Sequence, residues 1–230
     1  MTAFFDYPRS AAFGRVVPKS KIYGHAGANT ALKDLFVREV DQIVWRFKLA
    51  PETINLAATK SVTEIQVFEV TLKTGKLDED VLRAIDKAVP FPLVFELTFG
   101  GRRKATAAFK RPNEADRTKW VISEYFDSAW APEGTPRAPL PVALNLGALY
   151  EKILNALMPV QVQTDEDIQA RVARMEAIRA KTREIERIKA RLTREKQFNK
   201  RVAINAELRE AKLELERLTP ADAPKSGASE

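Results

Sequence analysis

The chain has 230 residues, with 38 lysines and arginines against 31 acids for a formal charge of +7, 45% hydrophobic residues and no cysteine. That length and apolar content allow one domain of about 150 residues plus an extension, and the missing thiols exclude disulfides, a cysteine nucleophile and thiolate metal sites. With no apolar run near the roughly 18 residues of a membrane helix and no basic-then-apolar leader, the expectation is a soluble, cytoplasmic protein whose basic balance favours an acidic partner such as nucleic acid.

Residues 1–23 scatter Phe4, Phe5, Tyr7 and Phe13 among Pro8, Gly14 and Pro18. This predicts an irregular arm docked by its aromatics, in preference to a peptide-binding segment. Gly24-His25-Ala26-Gly27 reads as a loop, and His25, the only histidine, lacks a second imidazole with which to build a metal site. Asn29 or Thr30 caps a predicted helix over 29–47 with Leu32, Leu35, Phe36, Val40, Ile43, Val44 and Phe47 as its apolar stripe. Trp45 beside Arg46 and Lys48 is a cluster of the kind that stacks on bases, although a core tryptophan accounts for it more simply.

The organising stretch is 64–99, which reads strand, turn, helix, strand. Phe68, Val70 and Leu72 share one face of the first strand, and Ile65, Val67, Glu69, Thr71 and Lys73 the other. Thr74-Gly75 ends it, Asp78 caps a helix bearing Val81, Leu82, Ile85 and Val89, and Pro90 and Pro92 stop that helix. Leu93, Phe95, Leu97 and Phe99 alternate as the second strand, parallel to the first through a right-handed crossover. Gly100-Gly101 predicts a hairpin turn into a strand over about 104–110. A further strand covers 120–126, with Trp120, Ile122, Glu124 and Phe126 on one face.

Residues 131–141 hold four prolines and read as a linker or surface loop. A helix over 144–158 follows, with Leu146, Leu149, Tyr150, Ile153, Leu154 and Leu157 inward and Pro159 as its stop. Residues 165–218 contain neither proline nor glycine and are dominated by helix formers. Ile178, Ile185 and Leu192 recur at sevenfold spacing, Asn199 interrupts, and Val202, Leu208, Leu213 and Leu215 resume. This is a coiled-coil tendency with a polar middle, as one long helix or as a hairpin folding near 197–199. Its basic residues are Arg179, Lys181, Arg183, Arg187, Lys189, Arg191, Arg194, Lys196, Lys200 and Arg201, ten against three acids, a surplus equal to that of the whole chain. Phosphate contact and a solvated helix of alternating charge explain this equally well. The tail over 219–230 has a disordered composition.

Glu69, Thr71 and Lys73, with Glu96 and Thr98 on the neighbouring strand, invite comparison with the restriction-endonuclease fold, where a carboxylate and a Glu-x-Lys hold a divalent metal that activates water. Here Glu69 and Lys73 are four residues apart instead of two, so ion pairing is the favoured role and no catalytic or metal set is assigned. No phosphate loop, nucleophile elbow or zinc-protease motif is present, and no cofactor is implied.

VWRFKLAPETINL, EIQVFEVTLK, IDKAVPFPLVFEL and EKQFNKRVAINAEL occur in that order along the chain. The combination resembles the bacterial family called domain of unknown function 4391. The resemblance implies companionship with helicase and DNA-methyltransferase genes in phage-defence or restriction-modification islands. It supplies no catalytic residues, and it implies that the proline-rich stretch at 131–141 is longer than usual and a poor place to seek function.

The expectation is therefore an α/β (α+β) domain over 1–160, built on a mixed sheet of about four strands with a βαβ unit and flanking helices. A basic helical or coiled-coil arm over 165–218 follows. The expected role is a non-enzymatic accessory subunit that docks on a helicase or methyltransferase and touches DNA through the arm. The alternatives are a magnesium-dependent nuclease using Glu69, Lys73 and Glu96, and a protein that self-associates through its arm.

Overall fold

A computed structural model describes residues 3–116, 119–158, 163 and 166–219. The stop at Pro159, the arm's start at Asp165 and the tail beyond Thr219 lie outside these residues. The chain divides into two compact units, Met1–Pro159 and Val160–Glu230.

The first unit runs β1 (Phe5–Asp6), a 3-10 turn (Arg9–Ala11), β2 (Ala12–Val16), α1 (Lys19–Ala26), α2 (Thr30–Glu39), β3 (Val40–Leu49), α3 (Pro51–Ile54), β4 (Ile65–Leu72), α4 (Glu79–Ala88), β5 (Leu93–Phe99), β6 (Arg102–Pro112), β7 (Trp120–Asp127), β8 (Ala131–Pro132), β9 (Ala138–Pro139) and α5 (Leu146–Leu157). Six strands lie in the order β2-β3-β4-β5-β6-β7, and β8 adds to β6. The mixed sheet thus has seven strands, not about four. The expected parallel pair β4–β5, with α4 as its crossover, stands at the centre. At the β5–β6 turn Gly100 and Gly101 have φ of 56° and 71°, a left-handed pair that glycine adopts without steric cost.

The largest departure is at 29–47. Asn29 Oδ1 accepts from the Leu32 amide at 2.9 Å and starts α2 as expected. The helix nevertheless stops at Glu39, and Val40–Leu49 pairs antiparallel with β4. Valine, isoleucine, tryptophan and phenylalanine are strand formers, and register shifts between Val40 and Gln42 and between Trp45 and Phe47 break their period-two alternation. Each bulge inserts a residue, so the apolar positions imitate helical spacing. The N-terminal arm is also more regular than expected. Its β2 pairs with β3 and α1 continues through His25 to Ala26, so the segment read as a loop is the last turn of a helix. A third bulge, opposite Ala108 and Lys110, turns Tyr125 into the core beside Ile122, where strict alternation puts Phe126.

α1, α2 and α4 cover one sheet face. Phe36, Ile43, Phe68, Val70, Ile85, Leu93 and Phe95 form its centre, each contributing about 1.5–3 kcal/mol by burial. On the other face Ile65, Val67, Val94, Ala105 and Ala107 are buried. Tyr7 packs on Phe47 with ring centroids 4.8 Å apart, and Tyr150 of α5 stacks on Phe109 of β6.

Lys110 carries a fully buried ammonium into the first core. Its Nζ donates to the backbone carbonyls of Asp86 and Val89 at the end of α4 and lies 3.5 Å from Asp86 Oδ1. Tyr125 donates its hydroxyl to Asp86 Oδ2. Burial pushes the Asp86 carboxyl up to about 6 and lowers the Lys110 ammonium. Because the folded carboxyl binds its proton more tightly than the unfolded one, its contribution to stability is full below about pH 4 and is lost as pH rises through about 6. Asp86→Asn removes this dependence. Between pH 4 and 6 the stability difference between variant and wild type shifts in the variant's favour by on the order of 2–3 kcal/mol, measured by urea unfolding at several pH values.

Candidate nucleic-acid interface

Two regions carry the residues singled out from sequence. On the sheet, Glu69 and Glu96 are register partners on β4 and β5, and Thr71 and Thr98 are the next pair along, their hydroxyls 3.3 Å apart. Both acids are held by arginines. Arg137 donates to Glu96 from Nη1 and Nη2 at 2.7 and 2.6 Å, and its Nη1 also reaches the Phe5 carbonyl at 2.9 Å. The hydrogen bonds to Glu96 raise the Arg137 guanidinium above its ordinary value. Arg46 lies 3.5 Å from Glu69.

Lys73 does not join them. It follows the last residue of β4, and its Nζ donates to the Val37 carbonyl at 2.8 Å, in the last turn of α2 where the helix dipole favours a cation. The candidates thus form an adjacent pair of neutralised acids and a distant lysine. Among the described residues no group of three or more acids or histidines could hold a metal ion.

Arg137 was invisible to sequence reasoning because it sits in the proline-rich stretch at 131–141. That stretch is tied down: β9 pairs in parallel with β1, and the Ala138 amide donates to the Phe4 carbonyl at 2.9 Å. Its structural role is to present Arg137 to the buried Glu96. Arg137→Met leaves that carboxylate without a counter-charge and should cost about 2–3 kcal/mol, since the pair is partly open to water. Combining it with Glu96→Met should recover most of the loss in urea unfolding.

The second unit contains α6 (Ile168–Arg194) and α7 (Phe198–Leu218). Asp167 caps α6 by accepting from the Ala170 amide at 2.7 Å. The helices fold back on each other as an antiparallel hairpin, the second of the two expected forms. Ile185, Ile188 and Leu192 pack against Ile204, Leu208, Ala211 and Leu215, while Lys181 reaches Glu214 at 2.5 Å and Arg191 reaches Glu207 at 2.9 Å. The seam differs from the sequence reading, because Val202 and Leu213 are about half exposed and Ile204 and Ala211 take the inward positions.

The ten basic residues divide by their surroundings. Lys181 is shared between Glu184 and Glu214, Lys189 pairs with Glu186, and Arg191 pairs with Glu207. Arg187 donates to the Arg183 carbonyl at 3.3 Å, and Arg179 on the same helix is half-buried. Arg194, Lys196, Lys200 and Arg201 are exposed around the hairpin turn and have no ion-pair partner among the described residues. Glu195, the one acid among them, accepts from the Gln197 amide at 2.8 Å. Arg191, Arg194 and Lys200 line an open crevice of about 410 Å³ with Glu195, Ala203 and Ile204. Phe198 begins α7 and is 77% exposed.

Among the described residues no helix is long and apolar enough to cross a membrane. No curated protein and no solved structure matches the chain. A family model matches residues 5–215, through both the sheet and the helical hairpin. With nearly the whole chain inside that match, it belongs to the family described as Domain of unknown function (DUF4391).

Proposed function

We propose that this protein is a cytoplasmic, non-enzymatic accessory subunit that contacts nucleic acid through the turn of its helical hairpin. The observation that carries this reading is the cluster of Arg194, Lys196, Lys200 and Arg201, exposed around one turn and without ion-pair partners among the described residues. Unpaired cations on a rigid helical element attract phosphates at little cost in lost ion pairs. Resemblance to proteins of phage-defence and restriction-modification islands supports a helicase or DNA methyltransferase as the partner of the α/β unit.

The second reading, a magnesium-dependent nuclease using Glu69, Lys73 and Glu96, is favoured by the in-register pairing of the two acids. It requires Arg137 and Arg46 to release them. Glu69→Gln, which keeps the shape of the side chain, would abolish any magnesium-dependent cleavage under that reading and change nothing under ours.

Our reading predicts DNA binding by the full-length protein that weakens steeply with salt. Alanine at Arg194, Lys200 and Arg201 together should reduce the slope of log affinity against log salt by roughly 2–3. An unchanged slope would remove the hairpin turn from the interface.

A further inference from the structure

Phosphate attraction explains the cations at the turn but not the aromatic among them. Phe198 is 77% exposed, the most exposed aromatic residue among the large hydrophobics that reach solvent. It takes no part in the seam, which is filled by Ile185, Ile188, Ile204 and Ala211. Single exposed apolar residues are ordinary on protein surfaces. The neighbourhood distinguishes this one. Phe198 is the first residue of a 21-residue helix and follows a turn carrying Lys196. Arg201 and Val202 lie three and four residues further on, the spacing that shares a helix face, and both are exposed. The Phe198 ring therefore stands exposed at the start of α7, with Arg201 on its helix face and Lys196 two residues before it, neither with an ion-pair partner among the described residues.

We propose that the hairpin tip is a stacking platform for an unpaired base, and that the nucleic acid it takes is single-stranded or has an exposed single-stranded segment. This rests on the nucleic-acid reading above and deepens it. An aromatic ring offers a π-face that any base covers, while cations beside it track the phosphates on either side, the combination typical of single-strand binding. In an intact duplex the bases are already stacked, so only the cations would engage. The crevice lined by Arg191, Arg194 and Lys200, with Glu195 as the one acid in it, offers a neighbouring phosphate a concave seat at which Arg194 and Lys200 are the cations not already engaged by an acid among the described residues.

The test compares full-length wild type, Phe198→Ala, Phe198→Tyr and the triple alanine variant at Arg194, Lys200 and Arg201. Binding to a 20-nucleotide oligothymidylate and to a 20-base-pair duplex is read by fluorescence anisotropy. Phe198 is exposed, so the alanine variant should fold as wild type does, checked by circular dichroism. We expect Phe198→Ala to weaken oligothymidylate binding about tenfold, to change duplex binding less than twofold and to leave the salt slope intact, with Phe198→Tyr close to wild type. Equal effects on the two nucleic acids, or no effect on either while the triple variant weakens both, would overturn the stacking proposal and leave the electrostatic reading standing. Binding of neither nucleic acid by the wild type would overturn both. Phe198-dependent binding to vesicles rich in anionic lipid without oligonucleotide binding would also overturn both, by assigning the tip to a membrane surface.

Discussion

A buried ammonium sets the terms for the α/β unit. Removed from water, Lys110 must be solvated by the protein, and it recruits the Asp86 and Val89 carbonyls, the Asp86 carboxylate and the ring of Trp120, 5.3 Å from Nζ. These groups come from the end of α4 and from β7, so meeting the needs of one charge fixes the crossover helix over the sheet. Tyr150 tightens the same point from α5, since its hydroxyl accepts from the Lys110 amide at 3.0 Å and donates to the Ala108 carbonyl across the bulge. With α4 held there, β4 and β5 run parallel and in register. Such a network gains little net stability over an apolar equivalent, but losing one member is costly. Its physical role is to specify one arrangement.

The register that places Phe68 beside Phe95 in the core also places Glu69 beside Glu96 on the opposite face. Two like charges side by side on adjacent strands are unfavourable, and Arg46 beside Glu69 and Arg137 beside Glu96 offset them. The arginines of the sheet face and those of the hairpin turn have different surroundings. On the sheet they complete acids. At the hairpin turn Arg194 and Arg201 have no ion-pair partner among the described residues, which is why that surface, and not the strand-face carboxylates, carries the functional reading.

Much of this was legible beforehand where local signals agreed. The βαβ core, the double-glycine turn, the caps at Asn29 and Asp78 and the inward face of α5 each rest on short-range patterns that the tertiary structure reinforced. The failures cluster where the pattern was ambiguous. Bulges in β3 and β7 shifted the apolar alternation, and strand-forming residues at 40–49 then passed for a helical stripe. The extra strands β2 and β8 are short edge segments with weak signals of their own, made strands by the partners they meet.

By itself the sequence determined the class of the fold, its parallel centre and the concentration of positive charge in a helical segment, because composition and period act over neighbouring residues. Only the tertiary structure decided which charges are spent. Arg137 reaches Glu96 across 41 residues, Lys110 reaches Asp86 across 24, and Lys181 reaches Glu214 between two helices. Those pairings depend on the folded path of the chain. That Arg194, Lys196, Lys200 and Arg201 have no ion-pair partner among the described residues, and that Phe198 is exposed beside them, follows from that path, and no linear pattern records it.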